Sequence, residues 1–186
     1  MKNSTVSLLV LAVAALLTLI SFISIKESTS PPKPDAMIAD WERAKAYTLE
    51  YLSAADEEVI TFKPTSEMRN FGQQMLHIAE SNYGFASAAS GQKSPVTFDK
   101  LEMSYDRYKS KDSLTSVVMK SYDFVIAAVR ETDESSMEET IKIFNRFEMS
   151  RKTAFLKAFE HQTHHRGQTT VYLRLKGIKP PNEKLL

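Results

Sequence analysis

Apolar residues recur at steps of three and four along four separate stretches of the chain, the spacing that gathers them onto one face of an α-helix. The first stretch runs through Met37, Trp41, Ala44, Tyr47 and Tyr51, with Asp35 behind Pro34 placed to cap it. Residues 54–65 read as a loop with a short β-branched patch. The second helix is expected to open near Ser66 and to pass through Met68, Phe71, Met75, Ile78 and Phe85 to Ala89, where Gly91 supplies a left-handed stop. Pro95 then interrupts the pattern, and Tyr105 and Tyr108 are expected to cover part of the core. The third helix begins after Asp112 or Ser113 and carries Leu114, Val117, Val118, Tyr122, Val125, Ile126 and Val129 before ending near Thr132 and Asp133. Residues 140–144, TIKIF, alternate and are β-branched, which suits a short strand or an extended crossing segment. The fourth helix starts near Ser150, runs without proline to Gly177, and cannot pass Pro180 and Pro181. Four such helices predict an all-α fold, an antiparallel four-helix bundle with one long crossover.

Ahead of the bundle the pattern changes character. Residues 6–25, VSLLVLAVAALLTLISFISI, contain no charge and lie between Lys2 and the pair Lys26 and Glu27. About 20 apolar residues can span a bilayer, and a signal peptide also has an apolar stretch, although a shorter one. Residues 1–30 are therefore read as a signal peptide or an N-terminal membrane anchor. No Ala-x-Ala cleavage site decides between the two, and either places the rest of the protein outside the cytoplasm, periplasmic or secreted. Residues 31–36, proline-rich, form a linker, and residues 37–186 form the folded domain.

Composition narrows the chemistry. With 24 Lys and Arg against 23 Asp and Glu in 186 residues, the formal charge is +1, and no basic stripe is present of the kind that neutralises phosphates, so no nucleic-acid partner is expected. The absence of cysteine excludes disulfides, thiolate nucleophiles and Cys-based metal sites, and leaves His and carboxylates as the protein ligands for any ion.

On a helical wheel His161 and His165 share an inward face with Ala154, Ala158, Thr169 and Tyr172. Four residues apart, they can reach one ion from successive turns. His164 points about 100° away and reads as solvated. His77, on the second helix, lies off the apolar stripe in a row of Asn70, Gln73, Gln74, Ser81 and Gly84, polar or small and uncharged. Such a row could line a groove or form plain helix surface. Arg166 falls beside Phe155, Phe159 and Leu173, so burial should require an acidic partner, with Asp123, Glu80 and Glu148 as candidates. Gly167 costs a helix about 1 kcal/mol relative to Ala and is expected to permit close approach of another element.

The stretch HQTHHRGQTTVYLRLKGIKPP, residues 161–181, resembles the closing signature of the DinB family of metalloenzymes, and FGQQMLHIAESNYG, residues 71–84, is similar to the family's second helix with its single histidine. The resemblance covers roughly residues 37–181. It implies a four-helix bundle in which His77, His161 and His165 bind a divalent metal ion, zinc or nickel foremost, and it implies a homodimer. Three imidazoles leave a coordination position open, the arrangement of a catalytic ion. The family includes thiol S-transferases and a mycothiol-dependent isomerase. The expected function is that of a metal-dependent hydrolase or transferase acting on an unknown small molecule; because those thiol cofactors are cytosolic, export weighs against thiol transfer and toward hydrolysis or no catalysis. The alternative is a non-catalytic metal-binding or interaction bundle. No further carboxylate shows the spacing of a general base.

Overall fold

The structure is a computed structural model that describes residues 34–97 and 99–185; the apolar segment 6–25, the rest of residues 1–30 and the first part of the 31–36 linker lie outside them. Helix α1 spans Pro34–Ala54. Its first position is a proline, whose missing N–H and fixed φ suit that place, so Asp35 falls within the first turn and not before it. A short helix α2, Glu57–Thr61, occupies part of the expected loop, because the Asp56 side chain accepts from Val59 N and caps it. Its Val59 and Ile60 are fully buried.

Helix α3 spans Phe71–Ser90 and starts later than Ser66. The reason is a reciprocal cap: the Asn70 side chain accepts from Gln73 N at 2.7 Å, and the Gln73 side chain accepts from Asn70 N at 3.0 Å. Gly91, at φ 79, ends the helix as expected. A 3-10 helix, Glu102–Tyr108, then leads to α4, Lys111–Glu131, whose N-cap is Ser110. The TIKIF segment forms strand β1, Thr140–Ile143, and it has an antiparallel partner absent from the sequence reading, β2, Phe147–Ser150. Helix α5, Arg151–Leu175, follows directly from β2, capped by Ser150.

Long helices neighbouring in sequence are not always neighbours in space. α3 packs on α4 and α5, and α1 packs on α4 and α5, which puts α1 diagonal to α3 and α4 diagonal to α5. Two connections therefore cross the bundle, where one was expected. Both are long enough to do so: the first contains α2, and the second contains the hairpin, which lies against α3 and α5. The described residues are mainly helical, and none of their helices is long and apolar enough to cross a membrane.

One core runs through the bundle, with Trp41, Phe71, Met75, Ile78, Leu114, Tyr122, Phe155 and Tyr172 fully enclosed. Trp41 meets the edges of the Tyr122 and Phe159 rings at centroid distances of 5.8 and 5.3 Å, the arrangement aromatic quadrupoles favour. Within this core Arg166 is buried, yet among the described residues it makes no ion pair. Its Nη1 donates to Gln162 Oε1 at 2.6 Å and to Thr48 Oγ1 at 3.4 Å, and its guanidinium carbon lies 4.6 Å from the Tyr47 ring centroid. The expected acids are engaged elsewhere or remote: Asp123 with Lys45, Glu80 with Leu101 N, while Glu148 is exposed on β2. Neutral oxygens and an aromatic face thus replace the carboxylate.

Gly167 also departs from expectation. It is exposed, and a Cβ built there meets nothing within 4 Å, so no element approaches it. Gly167→Ala is accordingly expected to stabilise the protein by about 1 kcal/mol, read as a melting temperature raised by roughly 2–4 °C. The close approach occurs instead at Gly72, where a Cβ would sit 2.6 Å from Tyr105 Cε2 and 3.2 Å from Ile60 O. The Tyr105 hydroxyl donates to Ile60 O, so this tyrosine clamps α2 against α3.

Candidate metal centre

The α3–α5 pair carries the three histidines. Ala154, Ala158, Thr169 and Tyr172 are buried, as the wheel requires, and they turn the same face of α5, with His161 and His165, toward α3. On α3 most positions are covered, including Gln74 and Ser81 from the polar row that holds His77. Gln74 and Ser81 reach His165 and His161, so this part of the row faces the site and is not free helix surface. His77, His161 and His165 each offer one ligand atom such that all lie within 4.8 Å of one another. Ring centroids are 5.0 Å apart for His77 and His161, 4.5 Å for His77 and His165, and 4.4 Å for His161 and His165. His164 is exposed, beside Gln168, and takes no part.

Neighbours fix how the rings present their nitrogens. His77 Nδ1 lies 3.3 Å from Glu102 Oε2, and His165 Nδ1 lies 2.9 Å from Gln74 Oε1. In each case Nδ1–H donation to oxygen leaves the Nε2 lone pair for an ion, the arrangement in which an outer carboxylate or amide orients a ligand. Gln74 is held in turn by donating from Nε2 to Gln168 Oε1. His161 differs: its Nε2 is 3.4 Å from the Ser81 hydroxyl, and its Nδ1 is buried without a hydrogen-bond partner among the described residues. A buried ring nitrogen without a partner costs free energy, and coordination would satisfy it.

Charge agrees with this reading. Burial, followed by the neighbouring His77, pushes His161 down to about 4, and burial with His161 and His77 beside it pushes His165 down to about 3. Both rings are thus neutral near pH 7, the form that ligates metal. Burial alone would raise Glu102, but hydrogen bonds from His77 and Arg69, with the charge of Arg69, hold it at about 2, so it stays anionic. Glu102 is a candidate site residue for which the sequence offers no motif. His77 also groups with Glu80 and Glu102; there, however, Glu80 already accepts from Leu101 N and Glu102 from Arg69 Nε at 2.5 Å. The three-histidine set has the freer donors and fits a borderline divalent ion. Glu102→Gln is expected to weaken metal binding by roughly 10- to 100-fold, measurable by competition with a chromophoric chelator.

A DinB-like protein from Bacillus cereus superposes with a TM-score of 0.65 at 18% identity, covering 81% of this chain and 97% of that one. A DinB-like protein from Bacillus subtilis gives 0.59 at 16%, covering 81% and 96%. The mycothiol-dependent maleylpyruvate isomerase gives 0.57 at 13%, covering 73% of this chain and 60% of the isomerase. At these identities the likeness establishes the fold. Among curated proteins none matches the chain. The sequence itself matches the DinB family over residues 28–186, and with the helical fold and the paired α3 and α5 histidines described above, the chain belongs to the DinB family.

Proposed function

We propose that this protein is a divalent-metal-dependent enzyme, a hydrolase or transferase acting on a small molecule, with the ion held by His77, His161 and His165. The observation that carries the reading is the convergence of three imidazole donors from two helices, with no fourth protein ligand in the set among the described residues, and with the Glu102 and Gln74 oxygens already orienting two of them. An ion bound there would polarise a substrate oxygen or lower the pKa of a bound water or thiol. The chain's own contribution is to orient: Glu102 holds the His77 proton on Nδ1, Gln74 does the same for His165, and buried Ser81 and Gln74 line the site wall. Zinc and nickel are the favoured ions, since imidazole suits both. The apolar segment 6–25 supports a location outside the cytoplasm, and the balanced charge supports a small-molecule partner in preference to nucleic acid. The homodimer implied by family membership is part of the same proposal.

A screen of esters, amides and thiol adducts against the full-length protein, metal-free and loaded with zinc or nickel, tests the reading. Turnover that requires the ion and disappears in His165→Ala supports it. Stoichiometric metal without turnover on any of these classes favours the non-catalytic alternative, and a chain that takes up no metal overturns the site.

A further inference from the structure

The β1–β2 hairpin carries none of the three candidate ligands. Its register pairs Ile141 with Met149 and Ile143 with Phe147. Directly opposed residues share a face of a two-stranded ribbon, so these four apolar side chains form one face, while Lys142 and Glu148 oppose each other on the other. The apolar face is incompletely filled: Ile143 is fully buried, but Phe147 is 48% exposed. Beneath it lies a cavity of about 430 Å³, bounded by Phe85 of α3, by Ile143, Phe144, Phe147 and Met149 of the hairpin, and by His161 of α5. That volume is within the range of small-molecule sites, which are mostly apolar with a few polar groups. The polar groups at its α5 edge are the Lys157–Glu160 pair, which is bonded to itself, the exposed His164, and the candidate ligand His161.

The hairpin tip is built to keep an aromatic ring at this cavity. Phe144 and Asn145 adopt φ 50 and 54, a left-handed conformation that suits asparagine but is unusual for a bulky residue. It places the Phe144 ring edge-on to Phe85, with centroids 5.2 Å apart, and Phe85 lies 6.1 Å from the His161 ring. An unbroken aromatic wall thus leads from the tip to the metal centre.

We infer that this cavity is the subsite for an apolar group of the substrate, of aromatic or branched-alkyl size, whose polar reactive end lies at His161 and its two companions. The inference rests on the metal-centre reading, and it narrows the substrate to molecules with a metal-seeking polar head and an apolar tail.

Two hydroxamic acids that share a chelating head and differ in the tail provide the test. Calorimetric titration of the full-length, zinc-loaded protein is expected to show benzohydroxamic acid binding at least tenfold more tightly than acetohydroxamic acid. The ratio should fall close to one in Phe147→Asp, and in Phe144→Asp, with zinc stoichiometry still near one and the circular dichroism spectrum of a folded bundle. Equal affinity of the two acids for the wild-type protein would overturn the apolar subsite while leaving the metal centre intact, and needs no variant to be read. A preference that persists in both Phe variants places the phenyl group elsewhere and overturns it as well. Failure of the wild-type protein to bind zinc removes both readings together.

Discussion

Replacing His161 with alanine is expected to reduce metal content from about one equivalent to near none at micromolar protein and metal. Sites of four protein ligands bind zinc with roughly 10–16 kcal/mol, or about 3 kcal/mol per ligand, so one lost imidazole weakens binding by roughly a hundredfold or more. His165→Ala should behave alike. The fold should survive in both, because neither ring is fully enclosed and the buried face of α5 is made by other residues, Ala154, Phe155, Ala158, Tyr172 and Leu173 among them. Elemental analysis of dialysed protein beside its circular dichroism spectrum separates loss of a ligand from loss of structure. Unchanged stoichiometry in both variants would refute the centre.

Gln162→Leu should be the most damaging polar substitution in the core, costing about 3 kcal/mol in denaturant unfolding. Gln162 Oε1 accepts from Arg166 Nη1 at 2.6 Å and from the Tyr122 hydroxyl at 3.0 Å. Leucine fills similar space but accepts nothing, leaving the guanidinium with the longer Thr48 contact and the Tyr47 ring. A buried charge stripped of its acceptor carries most of its desolvation penalty. Tyr122 suffers less, since its hydroxyl remains 2.7 Å from Thr48 Oγ1. The double variant Gln162→Leu with Arg166→Met removes the stranded charge and should recover at least half of the loss. Equal destabilisation in single and double variants would show that side-chain packing, and not the charge, sets the cost.

How much of this was legible beforehand depends on the range over which each feature is determined. The long helices, their glycine stops at Gly91 and Gly177, and the inward face of α5 follow from local periodicity and backbone preference. The start of α3 is not legible, because Ser66 is a chemically plausible cap, while the true one needs Asn70 and Gln73 to satisfy each other. Strand β2 is not legible because Phe147–Ser150, though it alternates, lacks the β-branched residues of TIKIF and runs straight into the Ser150 cap of α5. The histidine pair on α5 was visible as an i, i+4 spacing. His77 was not, for a geometric reason: a wheel contrasts a wet face with a dry one, and α3, with thirteen of its twenty residues buried, has little wet face to contrast. Family resemblance supplied His77. Glu102 had no signal at all, since its role arises from the 3-10 helix folding back over α3, a contact between distant parts of the sequence. Arg166 shows the opposite error, where the general need of a buried cation for an acid was met by amide and hydroxyl oxygens and a ring face.

The diagonal order of the helices has a consequence for assembly. His77 and Gln74 stand on one rod, and their partners His161 and His165 on another that the chain reaches only after α4 and the hairpin have been laid down; the Gln74–His165 contact alone spans 91 positions. Closing so wide a loop is slow compared with forming any single helix. Ion occupancy at the proposed centre would therefore gauge completed tertiary assembly: a partly organised species lacking the last rod has no place to hold the cation, and a captured cation would fasten together two segments distant in sequence.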